Sequence, residues 1–332
     1  MKIGMNGFDP DETKYFNNWI RKQPKTQLHL HLEGSIPFKC LSSLARKYQV
    51  SKNNPYNNRL SLICRSFSDI RNAYQWISSL LRSPEDLQFV ITELAYRLKT
   101  QGVVYAEITV TPFIHINNGW LVNDFLFALQ KGRAQAELDG GPKISWILDF
   151  PRNIPEAEKS TLDIAISGEN SGVIGLGLAG LEDGFPPSLY KDTFKIARSK
   201  GLLCIIHAGE TTEPDYIWEA INELHALRIG HGLSAVKDPS LIKYLADARI
   251  PLEICPTSNY RMGLLKKGQT HPIQHYWSKG VFCTLNSDDD LLFSTNILRE
   301  YLFVYHCCAF SINEIIKLIQ NGFDASIELT PM

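Results

Sequence analysis

Two histidines one residue apart, His29-Leu30-His31, carry the first chemistry in this chain. In a strand the side chains alternate, so both imidazoles share one face while Leu28, Leu30 and Leu32 take the other. His207 closes the apolar run LLCIIHA, and His231 closes LRIGH. Asp288-Asp289-Asp290 follows the run VFCTLNS and is sealed by Leu291, Leu292 and Phe293. Adjacent carboxylates raise one another's pKa unless a cation neutralises them. His29, His31, His207 and one aspartate make an N3O set suited to Zn2+, with room for a water. Glu210, three residues past His207, is placed to carry a proton beside that water. The run VIGLGLAG has no Lys, and no acid precedes Glu182, so nothing there bridges a second ion. Each feature alone also fits a packed core histidine or a solvated acidic loop. Four histidines at the ends of three predicted strands is the stronger observation.

The elements that must position these groups are short apolar runs at 27–32, 103–110, 144–150, 173–179, 202–208, 227–232, 251–256 and 281–286. Most are rich in β-branched and aromatic residues, as buried parallel strands are. Helical patterns lie between them. Over 85–101, Leu87, Val90, Ile91, Leu94 and Leu98 share a face, behind Ser83 and Pro84 as start signals. Residues 188–200 and 238–248 have similar character. Eight strands with intervening helices predict a (β/α)8 barrel, the doubly wound sheet being the alternative. Barrel enzymes keep their chemistry at the C-terminal strand ends, where all these groups fall. The interval 33–102 is long for one crossover and is expected to hold several helices, some over the barrel mouth. Tyr15, Phe16, Trp19 and Ile20 read as a docking N-terminal helix, and 54–58 as a surface loop. No Gly-, Ser- or Pro-rich linker divides the chain, so one domain over residues 1–332 is expected.

Composition removes several classes. Of 332 residues, 44% are hydrophobic and 21% charged, which are globular values. Lys plus Arg number 34 and Asp plus Glu 35, a net charge of 34 − 35 = −1. Such a chain has no global electrostatic case for nucleic acid or anionic membrane as partner. No apolar run approaches the roughly 18 residues of a membrane span. The opening MKIGMNGFDPDETKY lacks the basic and apolar regions of an export signal, so a reduced, cytoplasmic setting is expected for the seven Cys. None has CxxC spacing, and Cys204, Cys255 and Cys283 read as inert core thiols, as do Cys307 and Cys308 on a predicted helix. No phosphate-binding glycine loop occurs, and GLGLAG has the wrong spacing for a dinucleotide fingerprint. His31-Leu32-Glu33 matches the H-x-E of small zinc nucleobase deaminases, but their P-C-x-x-C partner is missing.

Taken together, PKTQLHLHLEGSI (24–36), GVVYAEI (102–108), HAGE (207–210), RIGHG (228–232), EICPTSN (253–259) and LNSDD (285–289) resemble the adenosine deaminase family, zinc barrels of the amidohydrolase type. The resemblance implies His29, His31, His207 and Asp288 as ligands of one Zn2+. It implies Glu210 as the proton donor to purine N1, and His231 as the group that orients the attacking water and takes up its proton. Asp289 would contact that oxygen and ring N7, and the Gly180 N–H would meet N3. The implied reaction is hydrolytic deamination at C6 of a 6-aminopurine, most simply adenosine or deoxyadenosine. Aminodeoxyfutalosine and adenine are the rival substrates, and a silent nucleoside-binding relative a distant third reading.

Four positions depart from the family pattern. Glu33 stands where nucleoside deaminases usually have Asp for the ribose side, and is expected to face the pocket near N9. One extra methylene there would crowd a ribose by roughly 1–3 kcal/mol. Leu181, Thr109 and Asp290 depart from the usual Asp, Arg and Pro. The retained Ala179-Gly180 pair favours a nucleoside.

Overall fold

The computed structural model describes residues 9–51, 54, 56, 58–266 and 268–327. The opening of the chain, read above for an export signal, lies in part outside these residues, as do Pro55 and Asn57 of the predicted loop. Eight parallel strands run in sequence order around one sheet, which rules out the doubly wound alternative. They are β1 (Lys25–His31), β2 (Val103–Val110), β3 (Lys143–Pro151), β4 (Val173–Ala179), β5 (Leu203–Ala208), β6 (Arg228–His231), β7 (Leu252–Ile254) and β8 (Cys283–Leu285). All eight fall on the predicted runs.

Among the described residues, the long first interval holds four α-helices, in keeping with its length. After α1 (Pro10–Lys22) come α2 (Leu32–Ser35), α3 (Phe38–Lys47), α4 (Phe67–Leu80) and α5 (Pro84–Thr100). Ser83 caps α5 in a reciprocal box with Asp86, satisfying backbone donors at its start. Helix α6 (Pro112–Asn117) follows β2 directly. Helix α1 docks through buried Phe16 and Ile20, with Phe16 stacked on Tyr305 at 4.3 Å. The apolar core lies between the strands' outer faces and the helix ring, where Leu30, Ile108, Leu148 and Ile206 are fully buried.

The barrel's inner face is polar. Arg228 is fully buried there, donating from Nε to Glu253 at 2.6 Å and from Nη2 to Glu107. Charges so buried persist only when paired. β8 meets β1 through the backbone of Asp288, whose N–H donates to His29 O at 3.1 Å and whose O accepts from His31 N at 3.0 Å. The barrel therefore closes at the residue that must also present a carboxylate. All seven cysteines are free, and Cys204, Cys255 and Cys283 are buried as expected. Among the described residues, no helix is long and apolar enough to cross a membrane.

Candidate active site

His29, His31, His207, His231 and Asp288 converge at the C-terminal mouth of the barrel. Nε2 of His31 lies 3.3 Å from Nε2 of His207, and Oδ1 of Asp288 lies 3.4 Å from Nε2 of both His29 and His31. A tetrahedral zinc with bonds near 2.0–2.1 Å would place its ligand atoms about 3.3–3.4 Å apart. The second nitrogens agree with that use. His29 Nδ1 donates to Glu253 Oε2 at 2.7 Å, and His207 Nδ1 donates to Leu178 O at 3.1 Å. With a cation in place of any proton on Nε2, each ring would turn an Nε2 lone pair inward, the usual arrangement behind a metal-bound histidine. Burial depresses His31 to about 4 and His207 well below its ordinary value, which keeps both free of a competing proton. Burial alone would do the same to His29, but Asp288 and Glu253 against its two nitrogens raise it to about 10. The donor set fits one divalent cation of the zinc type.

The three successive aspartates are separated by the turn that carries them. Asp288 takes a left-handed backbone, φ +64°, and aims at the histidines. Asp289 accepts a 2.7 Å bond from the Tyr74 hydroxyl of α4. Asp290 points away and meets Arg97 of α5 at 3.3 Å. It is fully buried there, so it lies outside the cavity. The histidines hold Asp288 ionised against the cost of burial, whereas burial and the Asp288 charge push Asp289 well up. Glu210 is also pushed well up, first by burial and then by Glu182 and Asp288. Its loop is pinned by Glu182, which accepts from the N–H groups of Thr211 and Thr212 at 2.7 and 3.1 Å. Glu210 Oε1 stands 3.8 Å from His231 Nε2.

A chain of donors fixes the tautomer of His231. The Ile273 N–H donates to His271 Nδ1 at 3.1 Å, so His271 carries its proton on Nε2 and donates to Asn259 Oδ1 at 3.1 Å. The Asn259 amide then donates to His231 Nδ1 at 3.3 Å. Neutral His231 is thereby a donor at Nε2, where the expected role of proton acceptor would need a lone pair.

His31, His207, Glu210, His231, Asp288 and Asp289 line a cavity of about 550 Å³ together with Gly180, whose φ of +85° few other residues adopt without strain. Thr109, one of the departures, is buried beside His31 in the β1–β2 register, while Leu181 is partly exposed on the cavity wall.

Glu33 differs from expectation. The chain turns into α2 directly after His31, which swings Glu33 away from the cavity. It is fully buried, with its carboxylate 2.8 Å from His115 Nε2 and accepting from Thr111 N at 3.3 Å. Glu33 thus grips the segment 111–117, part of which forms the cavity wall.

The sequence reading missed Tyr74, Asp149, Asn259 and His271. Asp149, which burial pushes up to about 7, lies near the end of an apolar strand on the same rim as His31, a signal open to reading. Tyr74 had none, since a helix outside the barrel delivers it.

Comparison with known proteins agrees. The family model for adenosine deaminase matches residues 24–329. The aminodeoxyfutalosine deaminase of Streptomyces coelicolor is 35% identical over 96% of this chain and 84% of its own. The adenosine deaminase of Clostridium acetobutylicum is 33% identical over 91% and 92%. The solved adenine deaminase of Arthrobacter aurescens superposes with a TM-score of 0.84 at 27% identity, over 91% and 93% of the two chains. This chain belongs to the adenosine deaminase family.

Proposed function

We propose that this chain, an aminohydrolase, removes the 6-amino group of an aminopurine nucleoside, most simply adenosine or deoxyadenosine, releasing ammonia. The observation that carries the reading is the convergence of His29, His31, His207 and Asp288, with Glu210, a carboxyl that burial pushes well above its ordinary value, beside His231 at the same mouth. A zinc ion on His29, His31, His207 and Asp288, one per chain, would supply Lewis-acid activation of a water at neutral pH.

The remaining steps belong to the protein. Attack at C6 pushes electrons onto ring N1, and Glu210 protonates N1 as they arrive. Asp289, held protonated by burial beside Asp288, donates to N7. The Nε2–H of His231 holds the attacking oxygen in line. The Gly180 N–H meets N3, and Tyr74 closes the cavity over Asp289. Water adds to C6, one of its protons ends on the amino group, which leaves as ammonia, and the other restores the Glu210 carboxyl. A silent relative would be expected to lack one of these groups, and all are present.

The test is zinc-loaded protein assayed for ammonia release from adenosine, deoxyadenosine, adenine and aminodeoxyfutalosine. Turnover of at least one nucleoside is expected. The Glu210→Gln variant should retain zinc and lose on the order of 10²–10⁴ in kcat. No ammonia from any of the four, with zinc bound, would overturn the reading.

A further inference from the structure

A line of buried charges runs from the floor of the barrel to the histidines at its mouth. Glu107 on β2, Arg228 on β6, Glu253 on β7 and His29 on β1 are all buried. Arg228 is the first residue of its strand, at the end opposite the reaction. It stands between two carboxylates. Its Nη2 donates to Glu107 Oε2, and its Nε donates to Glu253 Oε1 at 2.6 Å. The other Glu253 oxygen accepts from His29 Nδ1 at 2.7 Å. Nε2 of His29 faces the donor cluster, 3.4 Å from Asp288 Oδ1.

The far end of this line is held by backbone that no strand supplies. The helix Ile312–Asp324 packs across the seam where β8 meets β1. Asn321 Nδ2 donates to Cys283 O of β8 at 2.8 Å, and a Cβ on Gly322 would stand 2.3 Å from Thr26 Oγ1 of β1. The chain leaving that helix turns onto the buried charges. Ala325 O accepts from Arg228 Nη1 at 3.1 Å, and the Ile327 N–H donates to Glu107 Oε1 at 3.1 Å. Burial pushes the Glu107 carboxyl up, whereas Arg228 and the Ile327 N–H act to keep it charged.

One guanidinium therefore serves two acids. The more Glu107 draws on Arg228, the more charge Glu253 keeps for His29 Nδ1. A carboxylate behind a metal-bound histidine fixes the ring and raises its basicity as a ligand. Ala325 and Ile327 hold Arg228 and Glu107 in the positions that make this division. Water admitted from the floor would weaken it by raising the local dielectric.

On the reading that His29 is a zinc ligand, we infer that Glu107 and the segment Ala325–Ile327 are positioning elements for it. By dividing Arg228 between two acids, they set from the opposite end of the barrel how tightly the chain retains zinc.

The experiment measures zinc affinity by competition with a chelator, and the Nδ1–H resonances of His29 and His207 by NMR of zinc-loaded protein. Glu107→Gln should weaken zinc binding roughly tenfold, the low end of the loss when a partner behind a metal ligand is removed. The His29 resonance should move upfield as its bond to Glu253 weakens. The His207 resonance, bonded to Leu178 O, should stay in place. Glu107→Asp should recover part of the affinity. Ile327→Pro deletes one N–H donor and should loosen zinc in the same direction by a smaller factor, whereas Ile327→Ala should not. This second pair keeps the test decisive should Glu107→Gln fold poorly. Unchanged zinc affinity in both Glu107→Gln and Ile327→Pro overturns the proposal. Loss of zinc with both histidine resonances shifted together also overturns it, because that pattern marks a general loosening of the fold. No zinc binding by the unaltered protein overturns the metal site beneath it. Zinc and resonances behaving as expected, with no ammonia released from any nucleoside, support the proposal and reject the deaminase reading alone.

Discussion

Oδ1 of Asp289 lies 1.5 Å from the point that a Cβ on Gly34 would occupy. The carboxylate can sit there only because residue 34 has no side chain. The same glycine's carbonyl accepts from Leu291 N at 2.9 Å, so the α2 turn and the aspartate turn are clamped together. The acid that Tyr74 touches from one side is thus positioned by bare backbone from the other.

Gly34→Ala should therefore displace Asp289 while leaving the histidines in place. Misplacement of a reacting group by about 1 Å costs on the order of 10²-fold in rate. We expect zinc content unchanged and kcat reduced by about that factor. Full activity in the alanine variant would mean that Asp289 has no positional role.

Asp288 and Asp289 should separate cleanly. Asp288→Ala removes an oxygen that lies 3.4 Å from two histidine nitrogens and should abolish tight zinc binding. Asp289→Ala should keep one zinc per chain and lose rate. Elemental analysis of both proteins decides this, and equal metal content in the two would reject the ligand assignment.

The distance between sequence and structure differs by residue for physical reasons. His29, His31, His207, His231 and Asp288 sit at the ends of strands, and strand periodicity places strand ends well. The site's outer wall comes from α4 and α6, whose orientation depends on packing rather than on local pattern. Tyr74 was therefore illegible, although helices over the mouth were expected. Glu33, two positions past a ligand histidine and expected to face the pocket, faces elsewhere because a helical turn follows the strand at once. β1 ends at His31, and the helical turn that begins at Leu32 rotates the next side chain out of the cavity.

That rotation changes what Glu33→Asp should do. The shorter acid cannot keep both His115 and the Thr111 N–H, so one buried partner loses its bond, at a cost of about 1–3 kcal/mol. We expect a lower Tm and a looser 111–117 wall. The kcat/KM ratio between adenine and adenosine should change little. A large shift in that ratio with Tm unchanged would show that Glu33 meets the substrate directly.

The last prediction concerns the donor chain behind His231. His271 is buried and pushed down to about 3, so it stays neutral across the working pH range and its Nδ1 remains an acceptor for the Ile273 N–H. The direction of the chain is then fixed from the backbone outward, and His231 must present Nε2–H to the cavity. Asn259→Asp keeps the shape but replaces the amide donor at His231 Nδ1 with an acceptor. A proton is drawn to Nδ1, so Nε2 loses its hydrogen or the ring becomes a cation. If His231 works by donating to the attacking oxygen as a neutral ring, kcat should fall on the order of 10²-fold, the cost of losing one aligned donor. The two ring nitrogens are distinguishable by 15N NMR, which reads the tautomer without reference to activity. The unaltered protein should show the proton on Nε2, and the aspartate variant should show it on Nδ1 or on both. A pattern on Nδ1 in the unaltered protein would reverse the chain and restore His231 as a proton acceptor.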